Sequence, residues 1–264
     1  MWDAAQAPLL FGLIAAFVTS IGLVAVALRA DWSERHSGLF ALAAGGMLLT
    51  LTLLHIAPEA FAHGQMAPRL ILAGFLGGLA LSHIANAVFA EQPNARSAAA
   101  AVTPIVAVGL HSFLDGAIYA VTFATNFESG VYAAMSLILH EFPEGVIAFA
   151  ILRRAGVSNR RSLLFAFLAA AATTPLGVLA SAPFLHAIGP DVLGVLFGLS
   201  AGLLLFVATG PLMAPLREER PQRGLPALGA GVGLALAIAA APLPHVHNHD
   251  VHHHHEHGPA HPLH

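Results

Sequence analysis

Long apolar runs recur along the chain, and polar residues collect in the short segments between them. Most runs reach the roughly 20 residues that a helix needs to cross the hydrocarbon core of a bilayer. Lipid offers the backbone no hydrogen-bond partner and the runs are too long for barrel strands, so each is predicted to be a helix. Eight transmembrane helices are predicted, at residues 8–28, 38–60, 69–90, 101–124, 129–152, 162–187, 190–214 and 224–242.

Composition makes the predicted fold class an all-α polytopic membrane protein. The chain is 57% hydrophobic and 9% charged, which is more apolar surface than a soluble domain of 264 residues can bury. Residues 1–244 are predicted to form one transmembrane domain, and residues 245–264 a disordered histidine-rich tail. Asp3 precedes the first apolar run and Arg29 follows it, unlike a signal peptide, so that run is predicted to remain as a span.

The arginines predict the orientation of these helices. Ten of the eleven fall in segments that the predicted spans place on one side of the membrane, with Arg69 as the exception. Positively charged residues mark the cytoplasmic side, so both termini and the tail are predicted to be extracytoplasmic.

Two similar phrases, HSFLDG at residues 111–116 and HEFPEG at residues 140–145, lie inside the fourth and fifth predicted helices. In each, a histidine and a carboxylate are four residues apart and so share one helix face. Ionisable groups at membrane depth are costly and mark an ion or proton path. The chain has no cysteine, so a metal bound here would take nitrogen and oxygen ligands.

The short turn between these helices makes them antiparallel neighbours. Counted from the turn, His111 and Glu144 differ in depth by only about 3 Å, as do Asp115 and His140. Two imidazoles and two carboxylates are therefore predicted to converge near mid-membrane, where the two carboxylates would neutralise a divalent cation. Ser112 and Glu141, each one residue after a histidine, are predicted to serve a second ion position or a proton relay.

Both phrases resemble the paired motifs of the ZIP family of metal transporters, His-x-x-x-acid-Gly and His-Glu-x-Pro-Glu-Gly. The phrase HIAPEA at residues 55–60 and the eight spans with extracytoplasmic termini also resemble that family. The resemblance implies a homodimer that moves metal toward the cytoplasm, with spans one to three and six to eight forming an inverted repeat around spans four and five. It also implies a first metal position at His111, Asp115, His140 and Glu144, with Ser112 and Glu141 at a second.

The chain departs from the family pattern at three points. Leu114 stands where many members have proline, and Ser112 stands where asparagine is frequent. Thr174, in the phrase TTPLG at residues 173–177, stands where many members carry glutamate before proline. The departures predict one strong metal position and a weak second one, with Thr174 kept as a pathway candidate.

Histidines outside the two phrases supply further candidates. His55 and Glu59 repeat the four-residue spacing near the outer end of span two, as either pathway residues or a helix-end cluster. His83 is interpreted as structural. The tail is predicted to collect metal on the outer side through His245, His247, His249, His252, His253, His254, His255 and His257.

The function predicted from these features is secondary transport of a divalent metal, and not catalysis. Nitrogen and oxygen ligands favour Zn²⁺, with Fe²⁺, Mn²⁺, Co²⁺ or Cd²⁺ as alternatives, each as substrate and none as cofactor. The predicted partners are the metal, the lipid bilayer of the plasma membrane and a second copy of the chain; no nucleic acid is expected. One alternative is an intramembrane zinc metallohydrolase, because residues 140–144 are similar to the His-Glu-x-x-His motif. Against this alternative, the segment lacks the second histidine of that motif, and Pro143 is expected to interrupt the helix. A haem protein is another alternative, because spans two to five each carry a histidine.

Overall fold

The computed structural model describes residues 6–29, 36–90, 95–125, 127–185 and 192–240, and every regular element in these ranges is helical. The helices are α1 Gln6–Ala27, α2 Ser37–Ala62, α3 Ala67–Val88, α4 Ala95–Thr125, α5 Phe127–Arg154, α6 Asn159–Phe184, α7 Val192–Thr209 and α8 Pro221–Ala239. An irregular helical segment extends α7 to Arg217. The prediction of an all-helical fold is confirmed for the described part of the chain.

Seven of these helices, α1 to α7, are long and apolar enough to cross a membrane. Helix α8 covers most of the eighth predicted span but is not among the seven. Its first turn carries Gln222 and Arg223, which lowers the hydropathy of its 19 residues. The eighth crossing therefore stays a prediction.

Helices α4 and α5 lie at the centre of the bundle. Helix α1 packs on α5, and α6 packs on α4. On the other side α3 packs on α7 and α8 on α2, while α7 also contacts α4 and α2 also contacts α5. The two helices that carry the histidine phrases are thus enclosed by neighbours.

Glycines at the helix crossings let backbones approach closely. A Cβ atom built on Gly202 of α7 would lie 2.1 Å from the Ile71 carbonyl oxygen of α3, and one on Gly74 would lie 2.3 Å from the Leu199 carbonyl oxygen. Such distances exclude any side chain, as expected where small residues mediate contacts between membrane helices. These glycines therefore allow the close packing of α3 against α7 at this crossing.

Two helices widen locally before a proline. Helix α2 has a π-helical turn at Thr52–Ile56 ahead of Pro58, and α6 has one at Phe167–Ala171 ahead of Pro175. A proline lacks the N–H and its ring crowds the carbonyl one turn earlier, which such a turn accommodates. Pro143 behaves differently: α5 is continuous through it, so the expectation that Pro143 interrupts this helix is wrong. Enclosing helices let a proline be tolerated within a membrane helix.

Candidate metal centre

The hairpin of α4 and α5 brings the six predicted site residues into the interior. Helix α4 ends at Thr125 and α5 begins at Phe127, so the two helices run back past each other. All six side chains are buried, with at most 5% of any residue exposed. Those from α4 are His111, Ser112 and Asp115, and those from α5 are His140, Glu141 and Glu144.

Two imidazoles and two carboxylates meet near the middle of these helices. His140 Nε2 lies 2.9 Å from Asp115 Oδ2, and His111 Nε2 lies 3.4 Å from the same oxygen. His111 Nε2 is also 3.7 Å from Glu144 Oε2. Among the described residues, ligand atoms of His111, His140 and Glu144 lie within 4.8 Å of one another. The structure therefore brings together the four residues that the depth count, taken pair by pair, predicts to converge.

The donor atoms of this cluster fit a divalent cation. Zinc bound at about 2.0–2.2 Å holds tetrahedral ligand atoms roughly 3.3–3.6 Å apart, close to the distances around His111 Nε2. Asp115 Oδ1 and Glu144 Oε2 are buried and have no hydrogen-bond partner in the described structure. Buried acceptors of this kind are normally satisfied, and a cation would satisfy both.

A small cavity adjoins the cluster. Its volume is about 10 Å³, near the minimum that holds one water molecule. His111, His140 and Glu144 line one part, and the apolar residues Leu48, Leu51, Ile56, Pro143, Ile147 and Leu204 line the rest. A cavity of this size admits a bare cation and excludes a fully hydrated one, so an ion reaching it exchanges water for protein ligands.

Hydrogen bonds with neighbouring side chains orient two of the predicted metal ligands, His111 and Glu144. His111 Nδ1 is hydrogen-bonded to the Ser200 hydroxyl of α7, and Ser112 Oγ donates to Glu144 Oε1. When His111 Nε2 binds a metal, Nδ1 carries the proton and donates it to Ser200. Ser112 therefore contacts Glu144, a predicted ligand of the first position, in addition to its own predicted role at a second.

Glu141 faces a different helix. Thr19 Oγ1 of α1 donates to Glu141 Oε2 at 2.5 Å, and Glu141 Oε1 is buried without a hydrogen-bond partner. Sequence reasoning missed both Thr19 and Ser200. The available signal was a hydroxyl residue inside an otherwise apolar membrane run, Thr19 next to Ser20 in the first and Ser200 in the seventh.

The remaining pathway candidates lie outside the ligand cluster. Thr174 is fully buried on α6, its hydroxyl has no hydrogen-bond partner, and its carbonyl faces Gly116. His55 and Glu59 are half-buried on α2, and among the described residues neither belongs to the close group of His111, His140 and Glu144. Glu59 instead lies beside His63, and its Oε2 atom is 3.9 Å from Nδ1 of His63. The tail histidines fall outside the described residues.

A larger cavity of about 540 Å³ lies at the end of the bundle that contains Arg154. Thr103 and Pro104 of α4, Ile151 of α5 and Phe206 of α7 are among its lining residues. Ile147 lines the small cavity and Ile151 the large one, a separation of one helical turn, or about 6 Å. One layer of side chains thus separates the metal cluster from this cavity.

Comparison with known proteins identifies the family. The profile described as ZIP Zinc transporter matches residues 82–241, more than half of the chain. The chain belongs to the ZIP family. ZIP proteins are metal transporters and not enzymes, and no observation favours the metallohydrolase or the haem protein.

Curated ZIP proteins match a shorter central segment. The metal cation symporter ZIP14 of Mus musculus is 28% identical over 113 residues, 42% of this chain and 22% of ZIP14. The zinc transporter ZIP10 of Danio rerio is 28% identical over 120 residues, 45% of this chain and 14% of ZIP10. The metal cation symporter ZIP8 of Rattus norvegicus is 27% identical over 112 residues, 41% of this chain and 23% of ZIP8. The match therefore spans less than a quarter of each relative.

Proposed function

We propose that this ZIP protein is a secondary transporter that carries divalent transition-metal ions, Zn²⁺ foremost, into the cytoplasm. The observation that supports it is the buried cluster of His111, His140, Asp115 and Glu144, with two carboxylate oxygens that no described group satisfies. Two carboxylates balance the charge of a dication, and two imidazoles suit zinc, with Fe²⁺, Mn²⁺, Co²⁺ and Cd²⁺ as further substrates.

The position of the large cavity supports inward movement. Arg154 lies at its rim, and the arginine distribution assigns that end of the bundle to the cytoplasm. In our proposal an ion enters from the opposite end and binds the cluster. It leaves through the large cavity when the side-chain layer at Ile147 and Ile151, which lies between the cluster and that cavity, opens. His55, Glu59 and Thr174 are proposed to line the route to the cluster, and Ser112 and Glu141 a weaker second position.

We propose the span count, the repeat and the membrane orientation that the sequence predicts. It has eight spans in residues 1–244, with spans one to three and six to eight as an inverted repeat and both termini extracytoplasmic. The protein is proposed to be a homodimer in the plasma membrane. Helix α1 contacts α6, and α3 contacts α7. These contacts are compatible with such a repeat.

Replacement of one histidine ligand tests the proposal. In proteoliposomes, His140→Ala is expected to lower ⁶⁵Zn uptake at limiting metal by at least about tenfold, because a metal ligand is lost. His83→Ala is the matched control, since His83 is exposed on α3 and outside the cluster, and it should transport as the wild type does. Equal uptake by all three proteins would contradict the proposed site.

The histidine-rich tail is proposed to capture metal before it enters the bundle. Deletion of residues 245–264 removes ten of the seventeen histidines and is expected to lower uptake only when metal is scarce. Uptake at saturating metal should be unchanged, because the buried cluster remains. Loss of transport at saturating metal would contradict the proposal that the tail only captures metal.

A further inference from the structure

Tyr119 lies on the same face of α4 as the metal ligands. It follows Asp115 by four residues and His111 by eight, so the three side chains stack along one face. Tyr119 is fully buried, with 0% of its surface exposed. Neither the family motifs nor the metal cluster assigns it a role.

The hydroxyl of Tyr119 has no hydrogen-bond partner in the described structure. A buried phenol normally finds a partner, because leaving its hydroxyl unsatisfied in an apolar interior costs free energy. The group lies within electrostatic range of the carboxylates of Glu141, Asp115 and Glu144. A buried oxygen without a partner, within the electrostatic field of three carboxylates, is a position where a cation or its water would be stabilised.

The order of residues along α4 places Tyr119 on the entry side of the cluster. Phe123, one turn beyond it, contacts Phe11 of α1 and Phe127 of α5, with ring centroids 5.2 and 5.8 Å apart. The α4 residues that line the two cavities, among them His111 for the small one and Thr103 and Pro104 for the large one, all lie on the other side of Asp115 along the helix. Thr122, further out on this face, uses its hydroxyl to donate to the backbone carbonyls of Ile118 and Tyr119. Behind the aromatic contacts, Tyr119 therefore presents a buried polar atom without a hydrogen-bond partner in the described structure before the predicted metal ligands are reached.

We propose that the Tyr119 hydroxyl is a further oxygen ligand, which contacts the divalent ion at an entry position shared with the carboxylates of Asp115 and Glu141. The inference rests on the proposed function and deepens it, because it assigns a residue to the step before the ion reaches His111 and His140. A neutral phenol oxygen adds a hard donor to a site rich in imidazole. It should matter more for Mn²⁺, which prefers oxygen, than for the softer Cd²⁺.

Tyr119→Phe tests this, since it removes the hydroxyl and keeps the ring. The expected result in proteoliposomes is a five- to tenfold higher KM for Mn²⁺, about the loss of one ordinary polar interaction, and less than a twofold change for Cd²⁺. The thermal unfolding midpoint should stay equal or rise, because an unsatisfied buried group is gone. Tyr132→Phe is the matched control: it alters the chain's other tyrosine, half-buried on α5, and should keep both KM values.

A second measurement uses the Tyr132→Phe protein, in which Tyr119 is the remaining tyrosine. Addition of Mn²⁺ is expected to change the ultraviolet difference absorption of tyrosine, and an unchanged spectrum would overturn the inference. Unchanged KM values in Tyr119→Phe, measured beside a His140→Ala protein that has lost uptake, would also overturn it while leaving the proposed function standing. Full uptake by His140→Ala would overturn both.

Discussion

Glu144→Gln is expected to reduce metal uptake at limiting metal to the background of empty vesicles. The substitution keeps the shape of the side chain and removes its charge, so a bound dication would face the Asp115 carboxylate with a net charge left over. Removing one partner from a buried set of charges costs about 3 kcal/mol or more, which corresponds to over about 100-fold weaker binding. Glu144 is 2% exposed, so solvent does little to offset this loss.

Glu128→Gln is the control for the same chemical change on the same helix. Glu128 is exposed in the first turn of α5 and lies outside the ligand cluster, so its neutralisation should leave uptake unchanged. Both proteins should show the unfolding midpoint of the wild type in detergent. Binding is measured by isothermal titration with Zn²⁺, and near-wild-type affinity in Glu144→Gln would remove Glu144 from the ligand set.

The central hairpin was predictable from sequence because its determinants are local. The four-residue spacing fixes one face of each helix, and the short predicted connection between α4 and α5 fixes the relative depth of the two faces. His140 and Asp115, which the depth count pairs, are 2.9 Å apart. A short connection therefore converts two sequence motifs into a spatial arrangement.

The partners from other helices were not predictable in the same way. Thr19 is 122 residues from Glu141 in sequence, and Ser200 is 89 from His111. Such pairs depend on how helices rotate and slide against one another, which composition and spacing do not determine. Glycine positions carry part of that information, because they mark where backbones meet, but they do not name the helix on the other side.

The glycine that ends each phrase illustrates this limit. Gly116 and Gly145 each lie against the backbone of a neighbouring helix. A Cβ atom on Gly145 would lie 2.2 Å from the Thr19 carbonyl oxygen of α1, and one on Gly116 would lie 2.0 Å from the Thr174 carbonyl oxygen of α6. Each histidine phrase thus carries its ligands and, at its end, the contact that docks a neighbouring helix.

Gly116→Ala is accordingly expected to abolish transport by disturbing packing, with every metal ligand still present. The added methyl would meet the Thr174 carbonyl and, at 2.8 Å, the Val178 amide nitrogen, neither of which can rotate away as a side chain can. Overpacking of this kind costs about 1–3 kcal/mol or more, which exceeds the gain of about 1 kcal/mol in helix propensity. We expect a lower unfolding midpoint and loss of uptake.

Gly77→Ala separates this steric effect from the change in helix propensity. Gly77 is exposed on α3, and nothing lies within 4 Å of a Cβ atom built there, so the alanine should be neutral or slightly stabilising. Gly177→Ala, whose Cβ would lie 2.0 Å from the Phe113 carbonyl oxygen, approaches the same crossing from α6 and should reproduce the defect of Gly116→Ala. Wild-type stability and uptake in both crossing variants would mean that α4 and α6 do not meet there as closely as these distances require.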